Sequence, residues 1–380
     1  MAAHCTICHK CKKPCPVDID TGEVSVLERE ILVAHGYKHT ALATRATLSY
    51  LESRSPTYNK IFRAGVLGIG GAIQRTLVRV AGQTEDPDEG AGSYVASMLR
   101  SPVPAADPMT LRDLLPACAP DQALVFEPKD EASPTVFYFP GCGSERLYST
   151  VSMAALHVLT ETGARVVLPP PYLCCGFPAH ANGRTEQHGR IVLQSALLFT
   201  QIREMFAYLT FDAVGVTCGT CREALGAMEA AKIFGCPVVD VARWVADRGL
   251  RLPGGGNYAY HAPCHDSLDG IGPQILKTIC DIDAQTVPHC CSEAGTLALS
   301  RPDITEAMRH RKTVATRETP AGTSGAVLLT NCPSCLQGLG RNVETAKPRH
   351  ILVELAQRLS GDLWLDRLRE RAAAAQAIHF

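Results

Sequence analysis

The sequence predicts an α/β protein in which a helical N-terminal segment with a four-cysteine run precedes two duplicated α/β cysteine-rich units with small parallel sheets. Two observations support this prediction. From residue 134 onward, short β-branched and aromatic runs alternate with helical stretches, as in βαβ units. In the same region the pattern Cys, Cys-Cys, Cys-x2-Cys occurs twice, with matching cysteines 114 to 122 residues apart. Duplication of one unit explains this regular spacing.

The composition excludes several classes of function. The chain has 380 residues and a formal net charge of -1, which gives no electrostatic basis for binding nucleic acid or an anionic membrane surface. Met1 to Cys15 has no apolar core segment of a signal peptide, so we expect a cytoplasmic protein. In a reducing compartment, 17 cysteines with short spacings indicate metal or iron–sulfur ligation rather than disulfides.

Residues 1–82 contain the four-cysteine run and predicted helices. The run has the pattern C-x2-C-x2-C-x3-C-P, which bacterial ferredoxins use to bind a [4Fe–4S] cluster, and it consists of Cys5, Cys8, Cys11 and Cys15. Three thiolates from one turn can reach one cluster, whereas the fourth normally binds a second cluster, so the segment is half of a ferredoxin unit. Zinc is the alternative, which the proline that ends the run disfavours.

The other half of this ferredoxin unit must come from elsewhere. We expect it on a partner polypeptide or on an upstream segment of a longer parent chain. Alternatively, the first three cysteines of the run take a fourth ligand from this chain, for which Cys118 is the candidate. Cys236 and Cys280 lie in apolar contexts, where a small buried hydrophobic side chain is the expected role.

Three helices are predicted after the run. Val24, Leu27, Ile31 and Leu32 have helical spacing, and we expect this helix to pack back on the cysteine loop. A second helix is expected across Thr40 to Leu51. In Ile61 to Ala81 the uninterrupted apolar run is about half as long as a membrane span. Basic residues surround it, so a helix on a partner or on the bilayer surface is an alternative to the favoured helix packed on its own core.

Residues 83–132 are predicted to be a linker and irregular segment. Gln83 to Gly92 is acidic and rich in turn-forming residues. Ser93 to Ala132 is rich in proline, and we expect it to run irregularly over a neighbouring part of the protein.

The first cysteine-rich unit is predicted at residues 133–250 and the second at residues 251–345, with C-terminal helices at 346–380. In the first unit we expect strands at 135–139, 165–168 and 213–217 and helices at 149–161 and 184–208. In the second we expect strands at 258–262 and 326–330, with a helix at 274–279 between them.

The cysteines of both units follow a predicted strand or open a predicted helix. The first set is Cys142, Cys174, Cys175, Cys218 and Cys221, and the second set is Cys264, Cys290, Cys291, Cys332 and Cys335. Ligands bind at the carboxyl edge of an open α/β sheet, and helix N-termini there favour the thiolate. Two matched sets of five favour a metal or cluster site over buried thiols without metal. Zinc in one unit remains an alternative, since zinc and iron–sulfur sites both take thiolates.

Histidines near these sets have an open role. His180, His265 and His289 could hydrogen-bond to cluster sulfur and tune its potential, or relay a proton. They could equally be polar residues at loop edges. No flavin or nucleotide site is evident, because the glycines between Gly65 and Gly71 lie inside a helical apolar run without a preceding strand. We therefore expect FAD on a partner or upstream module.

At these cysteines the chain resembles the CCG-domain family of iron–sulfur oxidoreductases. The family includes the cysteine-rich subunit of heterodisulfide reductase and the iron–sulfur subunits of glycolate oxidase, anaerobic glycerol-3-phosphate dehydrogenase and lactate-utilisation proteins. The resemblance covers Cys5 to Ile31 and Pro134 to about Gly340, in the family's usual order of a ferredoxin unit and two CCG domains. The chain is similar above all to the C-terminal part of fusions with an FAD-linked D-lactate or glycolate dehydrogenase.

The resemblance implies a [4Fe–4S] cluster at each set, noncubane in heterodisulfide reductase and replaced by zinc in some members. In the second set Ser292 stands where the family has glycine, which puts the cluster geometry there in doubt because glycine permits a positive φ.

The implied function is that of an iron–sulfur component of an oxidoreductase rather than a self-sufficient catalyst. It would pass electrons from a flavin-dependent D-lactate or glycolate dehydrogenase to a quinone or other carrier. The alternative is a heterodisulfide-reductase-like thiol/disulfide reductase. Partners would be the flavoprotein and the other half of the ferredoxin unit, with no nucleic acid. Membrane contact would be at most peripheral, on the inner membrane.

Overall fold

Two β-sheets with the same parallel core form the framework of the fold. In chain order the strands are β1 (Gln122–Phe126), β2 (Thr135–Tyr138), β3 (Arg165–Leu168), β4 (Phe211–Val216), β5 (Val238–Asp240), β6 (Tyr258–Tyr260), β7 (Gln285–Thr286), β8 (Val327–Thr330), β9 (Lys347–His350) and β10 (Gln376–His379). The first sheet has the order β10-β1-β3-β2-β4-β5, and the second has the order β7-β6-β8-β9. The parallel core β3-β2-β4-β5 thus has the same order as the second sheet, which confirms the predicted duplicated α/β fold.

This computed structural model describes residues 5–38, 40–81, 102–128, 130–293, 296–319, 322–323, 325–341 and 346–380. The predicted acidic linker Gln83 to Gly92 lies outside the described residues. The part of the chain before the first sheet contains α1 (Thr21–Ala34), α2 (Leu42–Glu52), α3 (Pro56–Phe62), a π-helix (Arg63–Gly70), α4 (Gly71–Ala81) and α5 (Leu111–Leu114).

The remaining helices connect the strands. In chain order they are α6 (Gly141–Arg146), α7 (Ser149–Glu161), α8 (Phe177–Ala181), α9 (Thr185–Met205), α10 (Gly219–Ala227), α11 (Ala230–Phe234), α12 (Val241–Asp247), α13 (Gly272–Cys280), α14 (Leu297–Ser300), α15 (Pro302–Arg317), α16 (Pro333–Gly340), α17 (Ile351–Ser360), a 3-10 turn (Gly361–Leu363) and α18 (Trp364–Ala373). The predicted strand and helix at residues 165–168 and 149–161 have these same bounds.

The core lies on both faces of the first sheet, because every residue of β2 is buried. Val136 and Tyr138 pack into one apolar cluster, whereas Phe137 and the following Phe139 pack into the other. Strands buried on both faces have continuous apolar runs, which explains why this stretch does not alternate with polar residues. Helix α7 covers one face and is itself covered by α17 and α18.

Helix α1 forms as predicted, but the face expected to pack inward is exposed. Val24, Leu27 and Ile31 are more than half exposed, whereas Val26 and Arg29 are buried. The guanidinium of Arg29 donates to the carbonyl oxygens of Cys5 and Ala181, which turns its own face toward the protein. The predicted packing of this helix on the cysteine loop is confirmed, because Val26 packs against Ile7 and Cys5, but most of the apolar residues that define the helical spacing face outward.

The predicted packing of residues 61–81 on their own core is confirmed at Val78, which is 3% exposed, and is wrong for most of the segment. The π-helix has no buried residue, and Ile61, Ile69, Ile73 and Val80 are each more than half exposed. The side that faces the protein carries polar anchors instead: Arg63 donates to the carbonyl oxygens of Arg146 and Asp107. Among the described residues, no helix combines the length and the apolar character that crossing a bilayer requires.

The segment predicted to be irregular before residue 133 contains a buried strand. Strand β1 pairs antiparallel with β3 on one side and with β10 on the other, so it extends the parallel core of the first sheet. Leu124 is fully buried and Phe126 nearly so. The C-terminal segment supplies the predicted helices α17 and α18, and also β9 and β10, which the local sequence pattern does not predict.

Candidate metal centre

The cysteines of both sets lie where strands lead into helices. Cys142 is in α6 just after β2, and Cys218 and Cys332 are the residues that precede α10 and α16. Their side chains therefore converge at the carboxyl edges of the two sheets, as the sequence predicts. Cys174, Cys175, Cys218 and Cys221 of the first set are buried, and Cys291, Cys332 and Cys335 of the second set are buried; Cys142, Cys264 and Cys290 are half-buried.

The thiols of each set are joined by hydrogen bonds between sulfur atoms. In the first set the series runs Cys142–Cys174–Cys175–Cys221–Cys218. In the second set it runs Cys290–Cys291–Cys335–Cys332. Cys264 is not part of this series, but burial and the charge of Cys291 raise its pKa. The Sγ atoms of Cys218 and Cys332 are 4.0 Å apart, so the two series meet. Nine of the ten thiols form one continuous group.

Some of these thiols ionise much more readily than others. Hydrogen bonds from Cys174 and Cys221 lower the pKa of Cys175 to about 6, although burial opposes this. Hydrogen bonds from Cys221 and Cys332 lower the pKa of Cys218, and those from Cys290 and Cys335 lower the pKa of Cys291. The thiolate form is therefore favoured at one or more cysteines of each set, and soft anionic sulfur suits iron–sulfur clusters or zinc rather than Mg²⁺ or Ca²⁺.

The two units contact each other reciprocally at these edges. A Cβ atom on Gly219, next to Cys218, would lie 1.8 Å from the carbonyl oxygen of His265 in the second unit. In the opposite direction, a Cβ atom on Gly143 would lie 3.2 Å from Pro333, next to Cys332. The start of each Cys-x2-Cys helix thus packs on the first cysteine loop of the other unit.

Two further hydrogen bonds join the units behind the thiols, and they are made by the residues at the ends of β5 and β9. Asp240 accepts a hydrogen bond from the backbone N–H of Ala242 and another from Ser267 in the second unit. His350 accepts from the N–H of Leu352 and, through Nε2, donates to the carbonyl oxygen of Thr217 in the first unit. Burial raises the pKa of Asp240 to about 7 and lowers the pKa of His350 to about 4.

The N-terminal cysteine run forms a half-exposed loop in which sulfur accepts local hydrogen bonds. Cys5 accepts from the N–H of Ile7 at 3.4 Å, Cys11 from the hydroxyl of Thr21 at 2.6 Å and Cys15 from the N–H of Ile19 at 3.3 Å. The hydroxyl of Thr21 lowers the pKa of Cys11. The loop therefore offers sulfur ligands without burying them.

This loop is attached to both cysteine-rich units. Arg29 links Cys5 to Ala181 of the first unit, and Nε2 of His265 in the second unit donates to the carbonyl oxygen of Ile7 at 2.6 Å. Nδ1 of His265 lies 2.5 Å from the carboxylate of Glu223. Burial alone would lower the pKa of His265, but Glu223 and Ile7 raise it, because both ring nitrogens face acceptors. The charge of Cys8 also acts on Cys264, so the loop adjoins the second set.

The other predicted histidines and cysteines differ in position. His289 is exposed, and His180 packs against His188 with ring centroids 5.0 Å apart. The thiol of Cys118 donates to the carbonyl oxygens of Ala119 and Gln122 at the start of β1. Cys236 and Cys280 are buried within the apolar clusters, as predicted.

Ser292 keeps the backbone conformation of the glycine that it replaces. Its φ is +71°, against +83° for Gly176 in the first unit. Its N–H donates to Cys290 at 3.4 Å, and the N–H of Gly176 donates to Cys174 at the same distance. The geometry around the cysteine pair is thus the same in both units, although the serine holds a φ that side chains disfavour.

Two residues of the second set were missed by sequence reasoning. His261 is 2% exposed, and one of its ring nitrogens lies within 4.8 Å of the sulfurs of Cys291 and Cys335. The ammonium of Lys312 is buried and donates to the carbonyl oxygens of Val287 and Pro288. Burial lowers the pKa of Lys312 to about 8, while the nearby thiols oppose this shift. The one signal in the sequence was that His261 stands three residues before Cys264, as Phe139 does before Cys142.

The donor sets fit a bulky sulfur-ligated group. At Gly141 a Cβ atom would lie 2.7 Å from Sγ of Cys221, and φ there is +69°, so glycine keeps the space beside this sulfur open. A duplicated α/β protein with soft thiolates gathered at both sheet edges belongs to the class of cysteine-rich metal- or cluster-binding proteins.

Comparison with known proteins defines this class further. The family model of the CCG cysteine-rich domain matches residues 136–226 and 258–340, the parts that hold the two sets. The model thus matches this chain twice, once in each cysteine-rich unit, which confirms the resemblance inferred from the cysteines.

Several curated proteins are similar in sequence to this chain, and some of them are named as iron–sulfur proteins or iron–sulfur subunits. Lactate utilization protein A from Exiguobacterium sp. is 28% identical over 54% of this chain and 89% of its own length. The probable glycolate oxidase iron–sulfur subunit of Bacillus subtilis is 22% identical over 93% of this chain and 82% of its own. A fumarate reductase (CoM/CoB) subunit from Methanothermobacter marburgensis is 26% identical over 52% of this chain. The match spans 40% of the length of that fumarate reductase subunit, and 40% of an iron–sulfur protein from Methanococcus maripaludis.

Proposed function

We propose that this chain is an iron–sulfur electron-transfer component that relays electrons from a flavin-dependent 2-hydroxyacid dehydrogenase, acting on D-lactate or glycolate, to a quinone or other carrier. The observation that carries the proposal is the contact between the two sets at Cys218 and Cys332, with the N-terminal loop adjoining the second set through Cys8 and Cys264. Three groups of thiols in one connected arrangement suit a relay. The names of the lactate utilization and glycolate oxidase relatives support the dehydrogenase partner.

In this proposal the ten thiols of the two sets hold [4Fe–4S] clusters of the CCG type, and Cys5, Cys8, Cys11 and Cys15 hold ferredoxin-type clusters. Iron–sulfur clusters supply one-electron acceptors whose potentials depend on burial and on hydrogen bonds to sulfur. The chain's own residues set these conditions. The thiols of the sets are mostly buried, and two buried cations, Arg146 near Cys142 and Lys312 near Cys291, offset their negative charge.

The N-terminal segment is where we place the partner contacts. The exposed row Val24, Leu27 and Ile31 on α1 lies beside the loop whose fourth cysteine, Cys15, is left for a second cluster. We propose that the other half of the ferredoxin unit, from a partner chain or an upstream segment, packs on this row. The flavin would lie on the dehydrogenase. The exposed helix at residues 61–80 would allow peripheral contact with the cytoplasmic side of the inner membrane.

Anaerobic purification tests this function. We expect a brown protein that contains iron and acid-labile sulfide, shows EPR signals after reduction by dithionite, and is reoxidised by a water-soluble quinone. The variant Cys175→Ser should lose the iron of the first set, whereas Cys236→Ser, which removes a buried thiol outside the sets, should keep it. A colourless protein that carries only zinc would contradict the proposal.

A thiol/disulfide reductase is the second candidate function. It is favoured by Cys264 and Cys290, which are only partly buried at the edge of the second set, and by the name of the CoM/CoB relative. This function predicts that an organic disulfide is reduced with a viologen as electron donor, and that added thiol changes the EPR signal. If the iron-loaded protein fails both assays, the reductase function is excluded and electron transfer is the function that stands.

A further inference from the structure

His261 is a buried histidine whose hydrogen-bonding capacity is not met by ordinary partners. It follows β6, and neither ring nitrogen has a nitrogen or oxygen partner among the described residues. Its side-chain partner is the sulfur of Cys291. Buried polar groups in native proteins are nearly always satisfied. A histidine in this position therefore indicates a partner that belongs to the site itself.

The atoms that face His261 are sulfurs of the second set. A ring nitrogen of His261 and the Sγ atoms of Cys291 and Cys335 all lie within 4.8 Å of one another, and all three residues are buried. Two ligands of one tetrahedral ion with 2.3 Å metal–sulfur bonds are about 3.8 Å apart. The three donors are thus close enough to share one metal atom after small side-chain movements.

The first unit cannot form this arrangement. Phe139 holds the equivalent position, three residues before the first cysteine of its set, and it packs against Phe199 in the apolar core. A phenyl ring offers no lone pair to a metal. The same backbone position thus carries a potential nitrogen ligand in one unit and an apolar side chain in the other.

We propose that His261 is a nitrogen ligand of the metal group held by the second set, so that this set binds metal through sulfur and nitrogen whereas the first binds through sulfur alone. The inference rests on the proposed function only in requiring that the second set holds metal. A neutral imidazole adds no negative charge to a cluster, and histidine in place of cysteine raises the potential of an iron–sulfur centre. The cluster of the second set is accordingly easier to reduce than it would be with a thiolate at position 261, which is the comparison that His261→Cys makes.

The test uses full-length protein purified anaerobically, with either ¹⁴N- or ¹⁵N-labelled histidine. After reduction by dithionite, pulsed EPR should detect the strong hyperfine coupling of a directly bound nitrogen, and this coupling should change with the isotope. In His261→Phe, which copies the first unit, the coupling should disappear. In the control His289→Ala, which removes an exposed histidine next to Cys290, the coupling should remain.

A second variant separates ligation from folding. His261→Cys should keep its iron, lose the nitrogen coupling and show a lower midpoint potential for one cluster only. An isotope-independent spectrum of the wild-type protein with full iron content would overturn the assignment and leave the proposed function intact.

If the protein holds zinc and no iron, the proposed function fails. X-ray absorption at the zinc edge then decides the assignment: a mixed sulfur and nitrogen shell that becomes all-sulfur in His261→Cys supports it, and sulfur alone in the wild type overturns it.

Discussion

The two cysteine-rich units share a strand order and the positions of five cysteines, yet the surroundings of their thiols differ. The first unit has Phe139 and Gly176 beside its set, whereas the second has His261 and Ser292 at the matching positions and the cation of Lys312 nearby. Duplication preserved the backbone that brings the thiols together. It allowed the chemistry around them to diverge, so equal motifs need not mean equal redox properties.

The largest difference that we expect between the units concerns a buried ion pair present in the second. Glu293 follows Ser292 and pairs with Arg341 at 2.9 Å, with both side chains nearly inaccessible, whereas the first unit has Phe177 at the matching position. Arg341→Met leaves the carboxylate buried without its partner, and we expect a loss of about 3–5 kcal/mol in the free energy of unfolding. Urea denaturation under anaerobic conditions measures this. Arg301→Met, which breaks the exposed pair with Asp303, should change stability by less than about 1 kcal/mol.

The next largest effect on stability concerns the helix that begins at each Cys-x2-Cys motif. Gly338 in α16 lies against the second cysteine pair, and a Cβ atom there would be 2.2 Å from the carbonyl oxygen of Cys291. The matching residue of α10 is Ala224, so the first unit already tolerates a methyl group. We expect Gly338→Ala to destabilise the protein by about 1–3 kcal/mol and to lower iron content, because backbone must move.

Gly226→Ala in α10 is the matched control for this change. A Cβ atom at Gly226 meets nothing within 4 Å, and alanine favours a helix interior by up to about 1 kcal/mol. Thermal unfolding of both variants should therefore give shifts of opposite sign. Equal shifts would mean that the close approach at Gly338 does not constrain the second unit.

The third difference is a pH dependence of opposite sign at the ends of β5 and β9. Asp240, with its pKa raised to about 7, is protonated in the folded protein, so its contribution to stability is lost as pH rises from about 4 to about 7. His350, with its pKa lowered to about 4, is neutral when folded, so its contribution is lost as pH falls from about 6.5 to about 4. Each effect amounts to at most a few kcal/mol, about 1.4 kcal/mol per pH unit.

The variants Asp240→Asn and His350→Gln separate these two contributions. Urea denaturation between pH 5 and pH 7.5 should show Asp240→Asn gaining stability relative to the wild type as pH rises. His350→Gln should gain relative to the wild type as pH falls. The same pH profile in both variants would refute the assigned charge states.

The smallest expected effect is at the position after each cysteine pair. Ser292 holds a φ of +71°, so Ser292→Gly should stabilise the protein by at most about 1 kcal/mol, since relief of strain is partly offset by the entropy of glycine. The reverse change, Gly176→Ser, should destabilise by about 1–2 kcal/mol, because a Cβ atom would also lie 3.0 Å from Nδ1 of His188. Thermal unfolding of the pair tests whether the two loops are interchangeable.

Sequence reasoning succeeded where the determining interactions are local. Helix α7 and strand β3 were predicted with their observed bounds, because apolar spacing and β-branched residues specify them directly. The placement of the thiols at strand ends followed from the same alternation. The α/β fold and its duplication could thus be predicted from short-range patterns together with a repeat.

It failed where distant parts of the chain decide the outcome. Strand β1 was predicted to be irregular because its partners, β3 and β10, are far away in sequence. The inward face of α1 was assigned by its apolar residues, whereas the hydrogen bonds of Arg29 to Cys5 and Ala181 orient it. His261 was missed because its one mark in the sequence, the distance of three residues to Cys264, is shared by Phe139 in the first unit, which cannot be a ligand.

The reciprocal packing of Gly219 on His265 and of Gly143 on Pro333 has an evolutionary consequence. Each unit presents to its neighbour the same edge that the neighbour presents to it, which is the geometry of a symmetric homodimer. An ancestral protein with one unit would have needed a second copy of itself to shield its sulfurs from oxygen and water. Fusion of two such copies into one chain would make that pairing permanent and would let the surroundings of the two sets diverge.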